Sequence, residues 1–268
     1  MRKHAHITHR SQRRYLLSPL ERWIIHLALP ALIIVAAAFI VGTYAHREFR
    51  EISLLQFTFA LMLSMLRITL AYLIVLVVGV CLGLLSVATP TLERILLPVW
   101  DVLESLPVLV FFPAIIAAFA AFGGFFAAAI CIMALSMLWN IVFSTIGGLR
   151  VIPEEVRSLG PVFGLTKWEQ LRHIILPALI PSLVTGSLLA WAEGWNMLMI
   201  AEVIHTYVPK STDANDLFGI GSILVHASAN GDTHAFIVAV GVIVAVVAIM
   251  NLLVWQPLLN FGEKFRFE

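Results

Sequence analysis

Long apolar blocks constrain the fold of this chain more than any other feature of its sequence. The apolar residues are grouped into stretches of about 20 or more, the length at which a helix crosses a hydrocarbon layer of ~30 Å. Only 12% of the residues are charged, whereas a soluble domain carries about 25%. The sequence therefore predicts an all-α membrane protein, with the lipid bilayer as its environment and no nucleic acid among its partners.

Hydropathy predicts about six transmembrane helices, and they divide the chain into a basic tail (1–22), a transmembrane domain (23–256) and a C-terminal tail (257–268). The second predicted span has 35 residues, ~52 Å as a straight helix, so we expect its outer third to tilt, kink or lie in the interface. Arg67 lies in that span, and we expect it to snorkel to the outer headgroups rather than to face a pore. The predicted spans are 23–44, 54–88, 98–119, 125–149, 177–204 and 235–255.

The basic residues predict the orientation in the membrane. Of the 17 Lys and Arg residues, 13 fall in segments that are cytoplasmic if the N-terminus is inside, and three (Arg47, Arg50 and Lys210) fall outside. Cytoplasmic segments carry the excess of positive charge in membrane proteins. We therefore expect a multi-pass protein of the inner membrane with both termini and the 152–176 loop in the cytoplasm.

The polar segment between the fourth and fifth spans is expected to form two short helices. Gly164 is expected to end the first of them. Thr166, with Glu169 three residues later, is typical of a capping box at the start of the second. We call residues 153–170 the knob. A proline and two acidic side chains that favour a helix N-terminus mark its start: Pro153, Glu154 and Glu155.

The knob carries more apolar side chains than a solvated loop is expected to expose. Some of them must contact a partner or the ends of the spans, because exposed apolar patches of this kind usually mark an interaction surface. A loop packed only on its own chain is the alternative. The apolar residues are Val156, Leu159, Val162, Phe163, Leu165 and Trp168.

This segment resembles the ATPase-docking "EAA" loop in ABC-importer permeases of the nitrate, sulfonate, taurine and bicarbonate type. The family pattern is Glu-Ala-Ala-x-x-x-Gly, nine residues, then Ile-x-Leu-Pro, and the stretch from Gly164 to Pro177 matches its distal half. The motif's acidic position falls on Ser158, so the two glutamates here lie one turn earlier. The resemblance implies a type I ABC importer permease fold with cytoplasmic coupling helices. It assigns ATPase coupling to Glu154, Glu155, Ser158, Leu159, Gly160, Gly164, Lys167 and Trp168.

The resemblance covers most of the chain, and it implies the partners. It implies ATP-binding ABC subunits inside, an extracytoplasmic solute-binding protein outside, and a second permease subunit, either identical or related. Members of the family often carry two such units in one polypeptide, and the C-terminal end of this chain resembles one half of these duplicated permeases. The matching segments are 103–109, Phe112-Pro113, Trp195, Ala201-Glu202, 219–221 and 255–267.

Polar residues of the fifth span are the candidates for a translocation path. Glu193 and Asn196 are three residues apart and share a helix face with Met197, and Glu202 follows at the end of the span. A charged group at mid-membrane costs roughly 2.5–3.5 kcal/mol, so each should face a partner, a cavity or water. Hydrogen bonding between spans is the alternative. Two further carboxylates near the inner end of the third span, expected to pair with Arg94 or with basic residues of the knob, are Asp101 and Glu104.

No enzyme site, metal site or cofactor is predicted. His226, Asp232 and His234 lie close in sequence, but their spacing does not fit a compact helical metal site. The phosphate-binding pattern Gly-x-x-x-x-Gly-Lys-Ser/Thr does not occur, so ATP hydrolysis is expected on a separate chain. Cys81 and Cys131 lie in apolar runs and are interpreted as packing residues.

The sequence thus predicts the translocation subunit of an ATP-binding-cassette importer for a small solute, with a small anion as the solute by analogy. An ion- or proton-coupled carrier that uses Glu193 and Glu202 is the first alternative, and an intramembrane enzyme or assembly factor is the second. The outer loop 205–232 and the 44–53 turn are expected to receive the binding protein. A short amphipathic helix over 217–227 is expected to lie on the outer surface.

Overall fold

The computed structural model describes residues 31–37, 39, 54–120, 124–203 and 216–265, and every regular element in these ranges is helical. Residues 31–37 and 39 are helical, and the rest of the first predicted span lies outside the described residues. The α-helices are α1 (Leu54–Ser86), α2 (Pro90–Ser105), α3 (Phe112–Ala120), α4 (Phe125–Val151), α5 (Glu154–Val162), α6 (Lys167–Gln170), α7 (Leu176–Ala201), α8 (Ile220–Ala229), α9 (Thr233–Met250) and α10 (Gln256–Glu263).

Four continuous helical segments are long and apolar enough to cross a membrane. They confirm the second, fourth, fifth and sixth predicted spans, although the last two are longer than hydropathy suggested. The fifth span is lengthened at its start by the second helix of the knob. The sixth is lengthened at its end by the polar C-terminal helix. The four segments are Leu55–Ser86, Phe125–Val151, Lys167–Ala201 and Thr233–Glu263.

The third predicted span, 98–119, is wrong as a single straight helix. Helix α2 begins eight residues earlier, at Pro90, and meets the following helical segment, Val108–Phe119, at a bend of 86°. Pro107 explains the break, because a proline disfavours helical backbone at the residue before it. Leu106 accordingly has extended backbone, with φ −79° and ψ 127°.

Helix α4 lies at the centre of the described fold and packs along both α1 and α7. The contact with α7 is made by two Ser-x-x-x-Gly pairs, Ser144/Gly148 on α4 and Ser182/Gly186 on α7. They interlock in antiparallel fashion: a Cβ at Gly148 would lie 2.7 Å from Ser182 Cβ, and one at Gly186 would overlap Ser144. Small residues four apart let helix backbones approach closely in membranes, where such packing replaces the hydrophobic driving force.

Two spans widen into a single π-helical turn immediately before a proline. The turns cover Leu171–Ile175 before Pro177 and Asn251–Trp255 before Pro257. A proline cannot donate the usual backbone hydrogen bond and its ring collides with the carbonyl of the preceding turn. A π-turn accommodates the proline without breaking the helix, so the knob remains rigidly joined to α7.

The short helix predicted over 217–227 is present as α8, but its expected position on the surface is wrong. Ile220, Gly221, Ser222, Ile223 and Ala227 are buried, and the helix packs on α1, α7 and α9. One face of α8 therefore belongs to the protein core.

Candidate functional site

The knob is built as two short helices joined at Gly164, as the sequence predicts. Gly164 has φ +64°, and the hydrogen bonds Leu165 N to Gly160 O (2.9 Å) and Gly164 N to Pro161 O (3.1 Å) form a Schellman motif that ends α5. The left-handed conformation costs glycine nothing, because glycine has no Cβ. The chain therefore reverses at a fixed point between α5 and α6.

The predicted capping box at the start of α6 is confirmed. The Thr166 hydroxyl accepts from Glu169 N at 3.3 Å, and the Glu169 carboxylate accepts from Thr166 N at 2.8 Å. These reciprocal bonds satisfy amide donors that have no partner within the helix. The second helix of the knob consequently has a defined first residue, Lys167.

Polar contacts anchor the knob to the end of α4 and to its own second helix. The Arg157 guanidinium donates to Leu149 O, one of the last carbonyls of α4. Gln170 Nε2 donates to Arg157 O at 3.1 Å, and its side chain packs against Gly160, where a Cβ would lie 2.7 Å from Gln170 Cδ. The knob is therefore an ordered part of the fold and not a solvated linker.

This ordered knob exposes an apolar surface formed by Leu159, Val162, Phe163 and Trp168. The last three are 76%, 71% and 66% exposed, although they are held by well-defined helices. Exposing large apolar side chains on a rigid element is unfavourable unless a partner covers them. We call these four residues the apolar face of the knob.

The predicted coupling residues lie together on the knob, and all but one are exposed. Gly160 is buried, because it is the position where α5 contacts Gln170. Gly160 thus shapes the knob from inside and presents no side chain to a partner. The exposed members of the set are Glu154, Glu155, Ser158, Leu159, Gly164, Lys167 and Trp168.

The candidate path residues do not form one cluster. On α7, Asn196 is exposed and Glu193 is partly exposed, whereas Met197 is 8% exposed and belongs to the core. Glu202 is fully buried at the end of α7 opposite to the knob. The accessible polar residues in the C-terminal half of α7 are therefore Glu193 and Asn196.

A buried ion pair between Arg67 and Glu202 was missed by the sequence interpretation, and the expected snorkelling of Arg67 is wrong. Arg67 is 2% exposed, and its guanidinium donates to Glu202 Oε1 and to Phe218 O. Burial inside the protein leaves the side chain no access to headgroups. The sequence did contain a clue, since two opposite charges lie in separate predicted spans and each needs a partner inside the membrane.

Asp101 and Glu104 are exposed, and neither has an oppositely charged group within 4.0 Å among the described residues, so their expected pairing is not found. The ion pair near the start of α2 joins Glu93 to Arg150, at 2.6 Å. It connects α2 to the last turn of α4, two residues before the link to the knob begins at Ile152.

The described residues contain no group of three or more His, Cys, Asp or Glu side chains arranged for a metal ion. His226 Nε2 lies 3.1 Å from Asp216 Oδ2. Asp232 caps α9 by accepting from His234 N at 3.1 Å and from Ala235 N at 3.0 Å. Asp232 therefore serves as a helix cap, and His226 contacts a different carboxylate.

Comparison with known proteins supplies the context for this geometry. The family model described as "Binding-protein-dependent transport system inner membrane component" matches residues 76–260. The nitrate import permease protein NrtB of Leptolyngbya laminosa is 27% identical over 191 residues, covering 71% of this chain and 64% of that protein. The bicarbonate transport system permease protein CmpB of Synechococcus elongatus is 27% identical over 141 residues, covering 53% and 50%. The chain thus spans about half to two thirds of these relatives.

The fold also occurs in a solved transporter. A chain from the inward-facing MetNI methionine ABC transporter superimposes with a TM-score of 0.65 at 15% identity, covering 78% of this chain and 97% of that one. At this identity the similarity concerns the fold.

Proposed function

Because the chain belongs to the family of binding-protein-dependent transport system inner membrane components, we propose that it is the translocation subunit of an ABC importer. Separate subunits hydrolyse ATP, a second permease subunit completes the path, and a solute-binding protein delivers the solute. The apolar face of the knob is the observation that carries this proposal. It is an exposed apolar surface on an ordered element, and surfaces of this kind mark interaction sites.

The proposed cycle follows from the rigidity of the knob. ATP binding brings the ATP-binding subunits together, and the knobs seated on them move with them. The knob is joined to α7 through a continuous helical segment from Lys167 to Ala201, so its movement tilts that span. Glu193 and Asn196 on α7 then face the path between the two permease subunits, where water or solute satisfies them.

The proposed solute is a small anion, since the similar proteins are named for nitrate and bicarbonate. We propose that selection is made largely by the binding protein. Glu193 is acidic and would repel an anion if it were ionised in the path, so the proposed role of this face is to admit water and line the path. It does not bind the anion.

The test is uptake in proteoliposomes that contain the chain with its ATP-binding subunits and binding protein. We expect labelled nitrate or bicarbonate to accumulate only with ATP and with the binding protein, and not when the ATPase is inactivated by substitution. Accumulation without the ATPase, driven by a proton or sodium gradient, would instead establish the ion-coupled carrier.

The proposed orientation predicts the sidedness of cysteine labelling. Cys81 is exposed and Cys131 is partly exposed, so both must first be replaced. In that background, Lys167→Cys is expected to react with a membrane-impermeant maleimide only from the cytoplasmic side, and Thr233→Cys only from the other side. Both positions are exposed. Reaction of both from one side would contradict an odd number of crossings between them.

A further inference from the structure

The ion pair of Arg67 and Glu202 is the centre of a larger buried network. Glu202 Oε1 accepts from Ser64 Oγ at 2.6 Å as well as from Arg67, and Glu202 Oε2 accepts from Gly221 N at 2.8 Å. Ser64 Oγ in turn accepts from Ile220 N at 2.9 Å. Ser64 and Glu202 are fully buried, and Arg67 is 2% exposed.

This network joins four elements that are distant in sequence. Ser64 and Arg67 belong to α1, and Glu202 is the residue after α7. Gly221 lies in the first turn of α8, and the Phe126 ring of α4 lies 5.9 Å from the Arg67 guanidinium carbon. A carboxylate at a helix N-terminus binds the unpaired amides and is favoured by the helix dipole. Glu202 therefore acts both as the partner of a cation and as the cap of a helix.

The same contacts hold both ends of the connection between α7 and α8. Leu217 N donates to Glu202 O at 3.0 Å, and Arg67 donates to Phe218 O at 2.5 Å. The backbone before α8 is therefore held at two points, at Leu217 by Glu202 and at Phe218 by Arg67. The connection must leave and re-enter the fold at neighbouring points, whatever path it takes between them.

Two glycines make this approach possible. A Cβ at Gly219 would overlap the Glu202 carboxylate, and a Cβ at Gly221 would lie 2.7 Å from Met199 Cα and 2.9 Å from Glu202 Oε2. The Gly-Ile-Gly sequence at 219–221 is thus required by the carboxylate that lies against it, because only glycine leaves room for it.

We propose that Ser64, Arg67 and Glu202 form a clamp that positions α8 and both ends of the 203–216 connection, and that ATP-dependent uptake depends on it. The clamp lies at the end of α7 opposite to the knob, and α7 itself has 26 residues, ~39 Å of helix. A broken clamp should therefore impair uptake while leaving attachment of the ATP-binding subunits intact. The dependence of uptake rests on the proposed function, whereas the positioning does not.

The charge chemistry of the clamp makes the test specific. Removing one partner of a buried ion pair leaves an uncompensated charge, whereas removing both charges together does not. A neutral glutamine at position 202 keeps one oxygen that can accept from Gly221 N, and its amide nitrogen can donate to Ser64 Oγ. An arginine at that position has no acceptor to offer. Neutralising both residues should therefore restore the clamp, and exchanging the two charges should not.

Positioning is measured by maleimide labelling of Val203→Cys in protein lacking Cys81 and Cys131. Val203 is 3% exposed, whereas Phe218, the site of the control cysteine, is 43% exposed. We expect Glu202→Gln and Arg67→Gln each to speed labelling at position 203 by about tenfold or more, because each leaves an unmatched buried group. Labelling at position 218 should change little. The double variant Arg67→Gln/Glu202→Gln should return to within about threefold of the parent, and Arg67→Glu/Glu202→Arg should not.

Uptake and co-purification of the ATP-binding subunits are measured on the same variants without the reporter cysteine. We expect uptake to fall with each single substitution and to recover in the neutral double variant. Co-purification is expected to stay within about twofold of the parent in every variant. Slow labelling in the single variants, or no recovery in the neutral double variant, would overturn the clamp. Loss of co-purification in parallel with uptake would overturn its local role. If the labelling rates follow the expected pattern but the parent shows no ATP-dependent uptake, the positioning role of the clamp is supported and the proposed function is refuted.

Discussion

Replacing Gly164 with valine is expected to abolish most ATP-dependent uptake while the permease still inserts in the membrane. Gly164 has φ +64°, and a β-branched residue accommodates that conformation poorly, at a cost of roughly 1–2 kcal/mol or more. The knob can relieve the strain only by giving up the Schellman hydrogen bonds that fix α5 against α6. The apolar face would then lose its defined shape, and we expect at least a tenfold loss of uptake and of co-purified ATP-binding subunits.

The control for this variant is Gly164→Asn. No atom lies within 4 Å of a Cβ built at position 164, so side-chain size is not the variable. Asparagine tolerates the left-handed region far better than valine does. We therefore expect Gly164→Asn to retain most of the uptake. Equal loss in both variants would show that the surface at this position, and not its backbone conformation, makes the contact. Normal uptake by Gly164→Val would count against the docking role of the knob.

The structure of the knob could be predicted because its signals are local. The end of α5 at Gly164 and the capping box of Thr166 and Glu169 each involve residues within one turn of each other, so they can be read without knowledge of the tertiary fold. The exposed apolar face also follows from composition, since so many apolar side chains cannot all be buried in so short a segment. What covers that face depends on another chain, and no pattern within this sequence specifies it.

The clamp could not be predicted in the same way. Arg67 and Glu202 are 135 residues apart, and each alone has an acceptable local explanation, as a snorkelling residue or as part of a path. Only the packing of α1 against the end of α7 brings them together. The general rule that charges inside a membrane are paired would have favoured the ion pair, because pairing removes the cost of an unpaired charge for both residues.

The bend in the third span shows how a local signal can be present and still be outweighed. Pro107 follows Leu106 inside the predicted third span, and hydropathy averaged over a window of this length predicts one span. The backbone restriction at the residue before a proline decided the outcome. The same chemistry at Pro177 and Pro257 produced π-turns instead of breaks.

The contact between α4 and α7 leads to the second large expected effect, in which Gly186→Val prevents stable packing of the two spans. The new Cβ would overlap Ser144 and lie 3.0 Å from Asn140 O, which is backbone and cannot rotate away. The helices must separate, and the loss spreads to Gly148 and Ser182 because the two pairs share one interface. Overpacking of this kind costs about 3 kcal/mol or more, so we expect the midpoint of thermal unfolding to fall by on the order of 10 °C.

Gly147→Val is the matched control, because this neighbouring glycine of α4 has no atom within 4 Å of its Cβ position. Both substitutions introduce the same β-branched side chain into a transmembrane helix, so any effect of helix propensity is common to them. We expect Gly147→Val to unfold within a few degrees of the parent in detergent, measured by intrinsic tryptophan fluorescence. Equal destabilisation by the two variants would mean that close approach at Gly186 contributes little. We expect the unfolding temperatures of the two variants to differ because the hydrophobic effect does not drive helix association in lipid. Close packing of the backbones is then what holds α4 against α7.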